Sequence, residues 1–110
     1  MKHTVVTETA TARDFLKRAI QTMNDRGKRY DSPDGERSMG KAVEAFNAIT
    51  GLSLTADEGW LLLQILKDVR QYSGASYHED SAIDCVAYAA LKAEALAERS
   101  LLQQGKGVET

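Results

Sequence analysis

The segment TADEGWLLLQILKDVR, residues 55–70, leaves this chain the fewest choices. Thr55 and Glu58 stand three apart, the spacing of a capping box that satisfies free backbone N–H groups at a helix start. Behind them Trp60, Leu61, Leu63, Ile65, Leu66 and Val69 cover more than half the circumference of a helix. This arc predicts a helix from 56 to about 72, ending ahead of Gly74. It also predicts a central position, with more apolar surface than one neighbouring helix covers.

The same signals recur on either side. Thr11 and Asp14 approximate a second capping box, and Phe15, Ala19 or Ile20, and Met23 share a face, which predicts a helix over 12–26 ended by Gly27. Met39, Val43, Phe46 and Ile49 or Ala42 predict another over 36–49, stopped by Gly51. A fourth begins near Ser76, with Asp80 as the rival cap, and runs to about Gln103, packing Ile83, Val86, Ala87, Ala90 and Leu91. Between the first two, GKRYDSPDGE holds the only proline and reads as a turn carrying Tyr30. No strand alternation survives and no repeat is evident. The expected fold is all-α, a compact single-domain bundle of about four helices, consecutive ones roughly antiparallel. Residues 1–10 are expected to be a flexible lead-in, 11–104 the helical domain and 105–110 a flexible tail.

Composition narrows the function classes. A chain of 110 residues is one domain by size and long enough to bury a core without staples. Its net charge of −2 gives no global reason to bind nucleic acid. Arg13, Lys17, Arg18, Arg26, Lys28 and Arg29 face only Asp14 and Asp25, a local basic surface too small for sequence-specific DNA recognition. Cys85 is the one cysteine, so no intrachain disulfide forms, and it reads as core packing. With two histidines it cannot complete a Cys/His zinc cage. No apolar run approaches the length of a membrane span, no signal peptide is visible, and no membrane partner is expected; the expected location is the cytoplasm.

The fourth helix carries a polar stripe, Asp80, Asp84 and Tyr88, at four-residue spacing beside its apolar face. Lys67 and Arg70 share one face of the third helix. Two readings stand side by side. In the first, Asp84 pairs with Lys67 or Arg70, Tyr88 completes the network, and the set fixes the register of two helices. In the second, Lys67 and Arg70 hold a phosphate, and Tyr30, His78 or Tyr88 contacts a base or sugar. A magnesium site would need Asp80 and Asp84 joined by an acid such as Glu44 from another helix. No nucleophile pairs with His78, and no phosphate-binding glycine loop is present.

Four stretches occur in order: RGKRYDSPDGE at 26–36, AFNAITG at 45–51, LKDVR at 66–70 and HEDSAIDCVAYAA at 78–90. Together they resemble a family of small, poorly characterised phage and prophage all-helical proteins with a His-x-Asp-Ser-x-x-Asp-x-x-x-Tyr helix. Tyr30, Lys67, Arg70, His78, Asp80, Asp84 and Tyr88 occupy the matching positions. The resemblance implies a phage accessory gene, acting in the host cytoplasm, and no particular reaction. A more distant similarity is to MazG-type all-α nucleoside triphosphate pyrophosphatases, whose paired Glu-x-x-Glu and Glu-x-x-Asp helices are missing here.

The expected function is binding of a small phosphorylated ligand, a nucleotide or nucleotide signal, without catalysis or cofactor. The alternatives are an interaction module that inhibits a host protein and a magnesium-dependent pyrophosphatase. The surplus apolar arc of the third helix points to a homo-oligomer.

Overall fold

The computed structural model describes residues 10–30, 38–74 and 76–109, with side chains over 10–25, 38–74 and 76–104. It is an all-α bundle of four helices: α1 (Ala12–Tyr30), α2 (Ser38–Thr50), α3 (Ala56–Ser73) and α4 (Glu79–Glu109). The expected lead-in, but for Ala10, and most of the turn after Tyr30 lie outside the described residues.

Local chemistry explains the helix ends. At α1 the Thr11 N–H donates to Asp14 Oδ2 at 2.9 Å and the Asp14 N–H donates to Thr11 Oγ1 at 3.1 Å. Hydrogen bonds from the Thr11 backbone N–H and then from its side chain hold the Asp14 carboxyl below its ordinary range. At α3 Glu58 Oε1 accepts from the Thr55 N–H at 2.8 Å and from its hydroxyl at 2.9 Å. Gly51 stops α2 with φ +76°, a left-handed conformation that costs glycine nothing sterically. Asn47 then clips the connector: its side chain donates to the Leu54 carbonyl and accepts from the Leu54 N–H, both at 2.9 Å.

Three boundaries differ from expectation. Gly27 does not end α1, which continues through Tyr30; an interior glycine costs a helix only about 1 kcal/mol. Neither Ser76 nor Asp80 caps α4. The His78 carbonyl takes the first helical bond, from the Ala82 N–H at 3.1 Å, while Gln71 Oε1 accepts the His78 N–H at 3.1 Å. At the far end α4 runs on through Glu109, beyond the expected stop near Gln103.

The helices pack in the order α1, α4, α3, α2, with α4 as the spine and no close backbone approach between α1 and α2. Their side chains meet at one hub. Trp60 and Tyr88 stack with ring centroids 5.5 Å apart and planes 30° apart, and Leu91 is buried beside them. Met23 of α1, Met39 of α2, Leu63 and Ala95 close around that hub. Gly59 is buried where α2 crosses α3, because a Cβ there would strike the Met39 thioether and lie 3.1 Å from Val43 Cγ1.

The core is small for the apolar content. Among the described residues no large side chain is fully buried. Most of the wide arc of α3 sits outside: Trp60 is buried and Leu63 half-buried, but Leu61, Ile65, Leu66 and Val69 are exposed, as is Leu62 beside them. Phe46, Ala90 and both of the alternatives Ile49 and Ala42, expected inside, are exposed as well, whereas of Ala19 and Ile20 it is Ala19 that is buried.

Candidate functional site

Two features of α3 compete as the site, one on each side of the helix. The inner side, toward α4, is polar for a packed face. Lys67 Nζ lies 2.8 Å from Asp84 Oδ2, and the two side chains are only 14% and 17% exposed. One helical turn toward the N-terminus, Gln64 keeps Oε1 buried without a hydrogen-bond partner. At the head of α3, the buried Asp57 carboxylate accepts two hydrogen bonds from Arg99, at 3.1 and 3.0 Å. Burial pushes the Asp57 carboxyl up, but hydrogen bonds from Thr55 and Arg99 outweigh it and hold the group below its ordinary value. Cys85 donates its S–H to Asp68 Oδ1 at 3.6 Å. Burial pushes that thiol up, and the neighbouring Asp68 carboxylate adds to the shift.

The stripe on α4 runs from solvent into the core. Each four-residue step turns about 40° around the helix, so Asp80 is exposed, Asp84 half-buried and Tyr88 buried. The structure brings Lys67 and Asp84 together, and it places Tyr88 in the core, stacked on Trp60. Arg70, His78 and Asp80 lie on the exposed surface. The His78 ring lies over the α3–α4 corner, where a Cβ on Gly74 would be 3.6 Å from its Nε2. Tyr30 is the last residue of α1, and its side chain lies outside the described part. Glu44 is exposed on α2, whose backbone does not approach α4, so it does not join Asp80 and Asp84. Among the described residues no three His, Cys, Asp or Glu side chains converge into a set that could hold a metal ion.

None of the six described side chains expected at a site (Lys67, Arg70, His78, Asp80, Asp84 and Tyr88) lines the broad groove between the N-terminal turns of α1 and α4. That groove, about 1200 Å³, is bounded by Phe15, Leu16, Arg18, Tyr77, Glu79 and Val86. Arg18 spans it, paired with Glu79 at 3.0 Å and placed 5.8 Å over the Phe15 ring.

The outer side of α3 is the opposite of the inner one. Leu61, Leu62, Ile65, Leu66, Val69 and Tyr72 are all exposed, Leu62 at 59% and Tyr72 at 85%. At 100° per residue they occupy one arc of about 140°. Within it the described charges are confined to the edges, apart from Glu58 in the first turn. An ordinary surface helix turns its polar side outward; α3 turns a broad apolar side outward, while its packed side mixes Trp60 and Leu63 with Asp57, Gln64 and Lys67. Sequence reasoning found the surplus apolar arc but missed Asp57, Arg99 and Gln64. Asp57 and Arg99 are 42 residues apart, so no local spacing marks them. No described helix is long and apolar enough to cross a membrane. Comparison with protein-family models, with curated proteins and with solved structures found no match.

Proposed function

We propose that this chain is a phage-type accessory protein working as an interaction module, which docks another polypeptide on the exposed face of α3. The observation that carries the reading is the broad exposed face of α3, with six large apolar side chains outside while Asp57, Gln64 and Lys67 share the packed side with Trp60 and Leu63. Contiguous apolar surface of this kind on a protein in water marks an interaction site. On this reading Lys67–Asp84 and Asp57–Arg99 are fold-locking pairs that turn the apolar side outward. The test is affinity capture from the cells that express the protein, wild type against Leu62→Lys. A stoichiometric polypeptide, self or foreign, retained by the wild type and lost by the variant is expected. A monomeric wild type that retains no polypeptide means that the reading is wrong.

One observation favours a second reading, a small phosphorylated ligand at the α3–α4 corner. Arg70 is exposed in the last turn of α3 and has no ion-pair partner among the described residues, with His78 beyond the same corner. Lys67 contributes no free charge to it, because Asp84 neutralises it. A nucleotide or cyclic dinucleotide that raises the melting temperature, with the shift lost in Arg70→Ala, would support this reading. A flat screen would remove it.

A further inference from the structure

We infer that the partner on the α3 face is a second copy of this chain, packed helix against helix with the two α3 helices antiparallel. The inference rests on that face being a docking surface and names what docks there. Leu62, Ile65, Val69 and Tyr72 follow one another at intervals of three, four and three residues, and all four are exposed. That spacing is the seam of a helix that packs lengthwise against another helix, with Leu61 and Leu66 flanking it. A groove-binding peptide or a flat protein surface would not require a seam sustained for three turns. Taking roughly 200 Å² for a fully exposed large side chain, the six residues offer on the order of 600 Å². A stable dimer takes about 800 Å² from each partner, so the α3 seam supplies most of it and the flanks the rest.

Charge sets the direction. Glu58, exposed in the first turn of α3, is the described charge that lies on the seam itself. A parallel pair about a two-fold axis would set Glu58 beside Glu58. An antiparallel pair sends the two Glu58 side chains to opposite ends of the seam. It also opposes the two helix dipoles. The arrangement is isologous, one patch meeting itself, so it closes at two copies.

Light scattering of the purified full chain at micromolar concentration is expected to give twice the mass of one chain. Leu62→Lys with Val69→Lys is expected to halve that mass while leaving helical circular dichroism intact, since both side chains are exposed. In a Cys85→Ser background, a short thiol cross-linker is expected to join Ile65→Cys to its own copy and leave Tyr72→Cys unjoined. A mid-helix residue approaches itself across an antiparallel axis, whereas an end residue does not. A monomeric wild type overturns the second-copy assignment; the capture experiment above then decides the docking reading separately. A dimer that survives the double lysine variant overturns the second-copy assignment on α3 as well. Equal cross-linking at Ile65→Cys and Tyr72→Cys overturns the antiparallel orientation.

Discussion

Asp57 at the head of α3 and Arg99 late in α4 grip each other through two hydrogen bonds, Nε to Oδ1 at 3.1 Å and Nη2 to Oδ2 at 3.0 Å. The bond pair joins the start of one helix to the distal half of the other. It fixes their register more firmly than apolar contact between small side chains does. The Asp57 side chain is 10% exposed and Arg99 44% exposed, so removing one partner strands a carboxylate that water barely reaches.

Arg99→Ala is therefore expected to lower unfolding free energy by about 1–3 kcal/mol, less than for a wholly buried pair because Arg99 is partly solvated. The pH dependence has a definite sign. The folded-state value of Asp57 is lowered, so its contribution is complete above the ordinary carboxylate value of 3.8 and is lost as pH falls through the folded value. Urea titrations of wild type and Asp57→Asn should differ at pH 7 and converge in strong acid. A gap that stays constant down to strong acid would remove the pair from the stability of the fold.

Lys67 and Asp84 make a sharper case, since both are more than four-fifths buried. Lys67→Ala leaves the Asp84 carboxylate unpaired and is expected to cost about 2–4 kcal/mol. The double variant Lys67→Met with Asp84→Leu removes both charges and is expected to recover most of that loss. Denaturant midpoints of the three proteins at one concentration decide it. A double variant as unstable as Lys67→Ala would mean that the pair is net stabilising beyond its packing.

Cys85 should be a slow nucleophile. Only the thiolate reacts, and burial together with the Asp68 carboxylate holds the proton on sulfur above the ordinary thiol range. Alkylation by iodoacetamide at neutral pH is expected to be much slower in the folded chain than in urea. Asp68→Asn should speed it, because one raising influence is gone. Equal rates folded and unfolded would contradict the placement of the thiol.

Much of the fold was legible because it is written in short-range chemistry. Thr11 with Asp14 and Thr55 with Glu58 announce two helix starts, and Gly51 announces a stop, each from neighbours within four residues. Gly27 misled because glycine ends a helix only where the chain takes up a left-handed turn, and here it does not. The site was legible in part. The pairing of Lys67 with Asp84 follows from two opposite charges on facing helices. Helix rotation decides how far the Asp80–Asp84–Tyr88 stripe sinks, and periodicity leaves that rotation coarse by tens of degrees. The same freedom hid which part of the α3 arc stays outside. An apolar arc wider than one neighbour can cover says that some of it stays outside, but not which side.

The α2–α3 crossing offers a paired test on two glycines. Gly59 is buried against α2, and a side chain there meets the Met39 thioether and Val43. Met39 has torsions with which to move aside; the β-branched Val43 has little freedom. Gly59→Val is expected to push α2 off α3 and cost about 1–3 kcal/mol. Gly40, in the first turn of α2, has open space around it: a Cβ added there would meet nothing within 4 Å. Gly40→Ala is therefore expected to stabilise by about 0.5–1 kcal/mol through the backbone alone. Asn47 anchors α2 to the connector from its other end, so both variants should keep their helical content. Thermal melts at matched protein concentration check the opposite signs. A Gly59→Val protein as stable as wild type would mean that α2 does not rest on Gly59 in solution.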